Sequence, residues 1–396
     1  MTGDVLLAAD LAGVLPPGIR AFFDPVFFRS SVLYDEFVHR LVVRVFRGAG
    51  LEAATRSPGT VEEIAARAGF EAGRAWLPLD WLLRHLADRG VIQAGPDPGR
   101  GRWFRAGGAV PLVDPEPVKD EQTRLAPGWL PAYELAETVA RDYPAFLRGE
   151  ATGEAILFSP ARFRLWLNYF SNDNALYAVN NRVGAVAAEQ WLPRGGGSIL
   201  ELGGGLASGA TALLERLDAA GRLGELREYH FTEVVPAFLR RGEEALRARF
   251  PGAGFLRCSP LDMNRPFGEQ GIAPGTLALV YAVNTLHVAH DLELTLAEIH
   301  RALAPGGQLV LSECVRPWPG QAIYVEFVFN LMETFRAPRL DARYRPNGGF
   351  LTPEQWTDAL DAAGFGEVRL LPDIGAIRNR LRTFYTAAIG AAPRAA

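Results

Sequence analysis

Lysine is nearly missing from this chain of 396 residues: Lys119 is the single one among 41 basic residues, so the positive charge is almost all arginine. Acidic residues outnumber basic ones and leave a formal net charge of −4. That balance excludes a general basic face for nucleic acid, which needs a clear cationic excess. Long apolar runs are also lacking. None approaches the ~18 consecutive apolar residues of a membrane helix, and the opening MTGDVLLAAD has neither the basic flank nor the cleavage site of a secretory signal. A cytoplasmic protein with no membrane and no nucleic-acid partner is therefore expected. Cysteine is scarce: Cys258 and Cys314 both lie in strand-like runs and read as small buried residues rather than a disulfide or metal pair. No metal-ligand spacing is present, so no metal is expected. What remains is an ordinary globular composition, 48% hydrophobic and 22% charged, with length enough for two domains.

The most informative stretch is ILELGGGLASGATALLERL, residues 199–217. An apolar strand ends near Glu201, three glycines (Gly203, Gly204, Gly205) permit a sharp turn and a close approach of backbone to ligand, and an amphipathic helix follows with Leu213, Leu214 and Leu217 on its apolar face. A dinucleotide fingerprint fits poorly, because Ser208 falls where its last glycine or alanine belongs. The next strand-like run, EYHFTEVVP, carries Glu233 at its end, placed to grip the vicinal hydroxyls of a ribose. A third, FLRCSPLDM, ends at Asp262 and Met263, a carboxylate for an adenine amino group and a thioether for the ring. Acids at three successive strand ends in this order resemble the class I methyltransferases that use S-adenosylmethionine. One departure is Ala207, which stands where the family pattern has its third glycine.

From residue 198 onward strands and helices alternate, as in a parallel sheet covered on both faces. Strands are expected near 198–202, 228–232, 253–257, 276–283, 307–313, 366–371 and 379–387. The fourth is followed by NTLHVAHD, which places Asn284 and His287 at its carboxyl end, and QLVLSECVRP sets Glu313 at the end of the fifth. Neighbouring strands lie ~4.8 Å apart, so the carboxylate can reach the imidazole, fix its tautomer and strengthen it as a base. Asn284 is a candidate to hold an enolate oxygen. This region resembles the C-methyltransferase domains of polyketide synthases, whose histidine and glutamate form a catalytic dyad at the positions of His287 and Glu313. The winged-helix O-methyltransferases also resemble it, and His290 with Asp291 imitates their His-Asp pair. His290 is expected on the next helix's first turn, with Asp291 as its N-cap.

The N-terminal third has another texture. A helical run, FDPVFFRSSVLYDEFVHRLVVRVFRGAGL, precedes a helix capped by Thr60, a second helix in PLDWLLRHLADRGVI ending at Gly90, and a β-wing in GRWFRAG. This resembles a winged helix. Its second helix carries Trp76, Leu79, Trp81, Leu82, Leu83 and Leu86, with only Arg74, Arg84 and His85 as basic or titratable partners. Such a face suits a core or a subunit interface rather than DNA, and in the small-molecule methyltransferases that begin with a winged helix this domain dimerises. His39, His85 and His230 read as structural. Residues 114–197 read as helices. Their last part interleaves aromatic residues with amides, and Tyr169, Asn172, Asn174, Tyr177 and Asn180 are expected to line a substrate pocket or, equally, to form caps and core. An insertion at 317–352, with Tyr324 and Phe327 as further pocket candidates, falls on the ligand side of the sheet and is a candidate lid.

The expected fold is thus α/β: a seven-stranded Rossmann-like methyltransferase sheet with an N-terminal, mostly helical winged-helix dimerisation domain. Segment 1–113 is the dimerisation domain, 114–197 a helical connector, and 198–396 the cofactor domain. The resemblance implies S-adenosyl-L-methionine as cofactor, a homodimer, and a small-molecule substrate, free or tethered to a carrier protein. The reaction expected is C-methylation of a polyketide-like or aromatic intermediate. O-methylation of a hydroxyl, a non-methylating reaction such as cyclisation, and a ligand-sensing regulator are the alternatives.

Overall fold

The structure, a computed structural model, describes residues 13–97, 101–380 and 383–394, so the reading of the first ten residues as free of a secretory signal lies outside the described part. Two compact units emerge. Of the described residues, one comprises Val26–Tyr169 together with Trp318–Arg336; the other comprises 13–25, Phe170–Pro317, and those from Ala337 to 394. The 317–352 insertion is therefore shared between them.

The first unit is built on a long amphipathic helix, α1 (Pro25–Gly48), which buries Leu33, Phe37, Val38, Leu41 and Val45 at helical spacing. The helix α2 (Val61–Ala68) starts at a capping box: Thr60 Oγ1 accepts from the Glu63 amide and the Glu63 carboxylate accepts from the Thr60 amide. Such a cap is worth about 1 kcal/mol. Gly69, at φ 72°, ends it. Next come α3 (Ala72–Asp88) and an antiparallel hairpin of β1 (Gln93–Asp97) and β2 (Gly101–Arg105). Pro78 sits inside α3 and not at its start, the helix having begun a turn and a half earlier.

Most of the apolar face of α3 is buried within its own unit, while Trp76 is exposed with its indole N–H on Glu62. Trp81 is fully buried, its indole N–H donating to Glu326 at 2.9 Å, and its ring stacks on His85 at 4.9 Å. Arg84 is spent on Asp80 (2.7 Å) and on the Gly320 carbonyl, and His85 is buried against His39 (3.3 Å). The helix α4 (Leu130–Leu147) and the segment 318–336 complete an aromatic core in which Tyr143 stacks on Phe327 at 5.1 Å.

The second unit is a seven-stranded sheet in the order β5-β4-β3-β6-β7-β9-β8, preceded by α5 (Ala175–Trp191). Its strands are β3 (Gly197–Leu202), β4 (Leu226–Thr232), β5 (Leu256–Ser259), β6 (Leu277–Val283), β7 (Leu303–Cys314), β8 (Phe365–Leu371) and β9 (Thr386–Pro393). The helices α6 (Ser208–Ala219), α7 (Pro236–Arg249), α8 (Leu292–Ala302) and α9 (Pro353–Ala362) connect them. The pairs from β5 to β7 are parallel, and only β9 runs against its neighbours. Parallel strands bring their carboxyl ends to one edge, where an open α/β sheet binds its ligands.

Two strands sit away from their expected places. The third is 256–259 instead of 253–257, because Pro251–Gly254 is spent on the turn that precedes it. The seventh is 386–393 instead of 379–387. Its centre, AAIGAA, has low β-propensity but fits where bulk is excluded: a Cβ on Gly390 would lie 2.3 Å from the Trp191 ring. Among the described residues no helix is long and apolar enough to cross a membrane.

Candidate active site

The glycine loop joins β3 to α6. Gly203 (φ 59°) and Gly205 (φ 57°) occupy the left-handed region, and so does Ala207 (φ 64°). The position where a third glycine was expected thus has the backbone that would favour one, at a cost to alanine of roughly 1 kcal/mol. A Cβ on Gly204 would meet the Phe231 ring at 2.1 Å, one on Gly203 would meet Thr285 Oγ1 at 2.2 Å, and Gly205 faces open space. The first two glycines therefore let the loop pack on the sheet, and the third leaves room on the ligand side.

Glu233 follows β4 and pins the loop: the Gly205 amide donates to Oε2 (2.9 Å) and the Val235 amide to Oε1 (2.8 Å). Burial raises its pKa despite those amides. Each oxygen keeps a lone pair for a hydroxyl. Beyond it Val234 and Val235 are exposed apolar side chains. Asp262 lies past the end of β5, half-buried, with Oδ1 accepting from the Asn264 amide (2.9 Å) and side chain (3.2 Å). Its neighbour Met263 is half-buried and accepts the Thr295 hydroxyl at its carbonyl (2.9 Å). Glu201 turns inward. It is 1% exposed, accepts from the Tyr229 hydroxyl at 3.1 Å, and burial pushes its pKa up to about 8. At neutral pH it is mostly protonated.

Between β6 and β7 the register pairs Val283 with Ser312, so the residues just past β6 stand level with Glu313. Glu313 is fully buried and takes three donors: the Thr285 amide (3.1 Å) and Leu286 amide (2.9 Å) on Oε1, and His287 Nδ1–H on Oε2 at 2.7 Å. Asp291 caps α8, accepting from the Leu294 amide at 3.0 Å, and His290 sits exposed just before it. Asn284 adopts φ 48°, and its Oδ1 accepts from Asn180 Nδ2 (2.7 Å) and the Cys314 amide (3.0 Å). Two donors on Oδ1 fix the amide orientation and leave Nδ2 as the arm that can reach a ligand oxygen. Asn180 is in turn held by Thr386, whose hydroxyl donates to Asn180 Oδ1 at 2.6 Å.

The amide and aromatic cluster is divided. Asn172 bridges Asn181 (2.7 Å) and the Ser208 carbonyl at the start of α6 (3.0 Å). Asn174 is buried at the N-cap position of α5, and Asn180 is buried with both ends of its amide occupied, so it positions Asn284. Tyr177 is half-buried, with its pKa raised by desolvation and then by Glu201, Glu233, Cys314 and Glu313. The acids of the glycine loop and the His287 pair thus converge on one side chain. Tyr169, Tyr324 and Phe327, expected in the pocket, are buried in the aromatic core of the first unit: Tyr169 on Phe329 (6.0 Å), Tyr324 on Tyr34 (5.2 Å), Phe327 on Tyr143. Rings at helical spacing were satisfied there by other rings. Sequence reasoning missed Arg345 and Phe350, which contact the His287 turn. Nothing distinguishes Arg345 from the arginines around it in RAPRLDARYRP.

Residues 200–309 match the family model described as a methyltransferase domain. The segment that holds the glycine loop, Glu233, Asp262 and His287 is thus a methyltransferase domain. Highly reducing polyketide synthase 2 of Gibberella zeae is 30% identical over 332 residues, covering 80% of this chain and 12% of that protein. Methyltransferase calH of Penicillium decumbens is 36% identical over 169 residues, 42% of this chain and 43% of that one. This chain spans only 5–12% of the length of the first polyketide synthases it matches. In fold it is similar to the CurJ carbon methyltransferase, with TM-score 0.76 and 23% identity over 98% of this chain and 97% of that one. It is similar also to the DszA carbon methyltransferase, with TM-score 0.71 and 24% identity over 99% and 97%.

Proposed function

We propose that this protein is an S-adenosylmethionine-dependent C-methyltransferase acting on a β-ketoacyl chain of the polyketide type, carried as a thioester. The observation that carries this reading is the 2.7 Å hydrogen bond between His287 and a fully buried Glu313 at the ligand edge of the sheet. With Nδ1–H given to the carboxylate, Nε2 is the nitrogen that accepts a proton. Glu313 orients the ring and offsets the charge the imidazole gains, while its two backbone amides keep the carboxylate in place. The substrate proton is one on a carbon between two carbonyls, acidic enough for an imidazole base. Asn284 Nδ2 donates to the enolate oxygen as it forms.

The residues fit the cofactor. Glu233 offers lone pairs to ribose hydroxyls, Val234 and Val235 offer an apolar face beside it, and Asp262 with Met263 lies at the next strand end to receive the adenine. Gly203, Gly204 and Gly205 bring the backbone close, as the open space at Gly205 indicates, while Glu201 turns inward to the Tyr229 hydroxyl. When bound, S-adenosylmethionine supplies a methyl group activated by the sulfonium charge, which the substrate carbanion attacks. The relatives being polyketide synthases supports the thioester-borne substrate.

The test is a reaction of the protein with methyl-labelled cofactor and a β-ketoacyl thioester, read by mass spectrometry. A product in which one labelled methyl group has replaced a hydrogen on carbon is expected. Label on oxygen, or a rearranged product of unchanged mass, overturns the reading.

A further inference from the structure

Residues 337–350, the part of the insertion grouped with the sheet, follow the turn that carries His287 step by step. The Arg339 amide donates to the His290 carbonyl (2.7 Å), His290 Nδ1 meets the Ala337 carbonyl (3.1 Å), and the Arg339 guanidinium pairs with Asp291. Deeper in, Arg345 is 1% exposed. Its Nη1 donates to the Ala289 carbonyl at 2.6 Å and its Nη2 to the carbonyl of His287 itself. The Phe350 ring packs on the imidazole, centroids 4.3 Å apart.

These contacts complement those of Glu313. The acid takes the N–H groups of Thr285 and Leu286; the guanidinium takes the C=O groups of His287 and Ala289. A turn of five residues is thus gripped through its donors from β7 and through its acceptors from the insertion. Burying a guanidinium is expensive, and burial pulls the Arg345 pKa down to about 10. By contrast Arg343, two residues earlier, is exposed and spent on Asp358 and Asp361. A buried cation whose two terminal nitrogens both go to the main chain of one turn has that turn as its purpose.

We infer that Arg345 is a positioning residue for the reaction: it locks the 287–289 turn so that the His287 ring holds one orientation between Glu313 and the substrate, with Phe350 fixing the ring's tilt. The inference rests on His287 as the base. The charged groups facing this turn are Glu313 from β7, Arg345 and Arg339 from the insertion, and His290 and Asp291 from the turn's own continuation.

The experiment is nitrogen-15 NMR of the full chain labelled at histidine, with H287A assigning the His287 signals, beside kcat on the β-ketoacyl thioester and calorimetric affinity for S-adenosylmethionine. In R345M the Nδ1–H bonded tautomer loses its single population. There kcat falls by ~10- to 100-fold through misalignment, with cofactor affinity within about twofold. R345K keeps the charge: its tautomer signal is disturbed, and kcat is intermediate. An unchanged tautomer and kcat in R345M overturns the inference, as does a fall in kcat that only follows the folded fraction. Should R345M not fold, an undisturbed tautomer in R345K overturns it. Turnover retained by H287A sinks the base reading instead, and the NMR then still decides whether Arg345 orders the ring.

Discussion

His287 and Glu313 are 26 residues apart in the chain and 2.7 Å apart in space. Replacing His287 by alanine should lower kcat by ~10²- to 10⁴-fold, the usual worth of a positioned base, with cofactor affinity retained; steady-state kinetics with calorimetry reads both. Glu313→Gln should cost roughly 10- to 100-fold in kcat and also loosen the turn, because an amide cannot accept on both sides as the carboxylate does. Both residues were legible in the sequence, since a strand end locates a side chain at a known edge. Arg345 and Thr386 were not. They reach the site from segments about 60 residues and 100 residues farther along the chain, and no local pattern marks an arginine or threonine as destined for another element's carbonyl or amide.

At the scale of elements, the glycine loop shows how one motif serves two demands. Gly204 must be bare because Phe231 occupies the space of its Cβ, whereas Gly205 must be bare because of its φ and the opening beside it. Gly204→Ala should therefore destabilise the protein by about 1–3 kcal/mol through overpacking, visible as a lower Tm. Ala207→Gly should be neutral or stabilising, because its φ of 64° is ordinary for glycine; a fall in Tm would show the reading of that position to be mistaken. The strand β9 was displaced in the sequence reading for a related reason. Alanine and glycine are poor strand formers alone, and only Trp191 and the flanking strands β7 and β8 make smallness an advantage.

For the whole molecule, buried titratable groups set how stability depends on pH. The unfolded chain binds protons on His39 and His230 at their ordinary value of 6.5, but burial lowers both to about 4 in the folded state and lowers His85 as well. Their contribution is therefore present above 6.5 and is lost as pH falls through the folded values. Glu201 acts with the opposite sign. Its folded pKa of about 8 lies above its ordinary 4.5, so its contribution is full below 4.5 and is lost as pH rises through 8. Between about 6.5 and 8 the histidines have finished titrating and Glu201 alone of these four still changes. Urea unfolding without cofactor should thus show a maximum near pH 6.5 and a decline above it of about 1.4 kcal/mol per pH unit. Glu201→Gln should remove the decline; a decline that persists assigns it elsewhere.

Read alone, the sequence determined the sheet, the edge at which its parallel strands end and the acids near those ends, because those depend on period, glycine and the ends of strands, all of which are local. Only the tertiary structure decided which apolar faces were core and which aromatics were free. The face of α3 read as a core or a subunit interface and Tyr324 and Phe327 as pocket residues; in the structure Trp81 packs on Phe327 and Phe327 on Tyr143 within one unit, while Trp76 is exposed. The same holds for the support of His287. A hydrogen bond from a guanidinium to a distant carbonyl depends on where two segments meet, and that meeting is a property of packing, written in no single stretch of the chain.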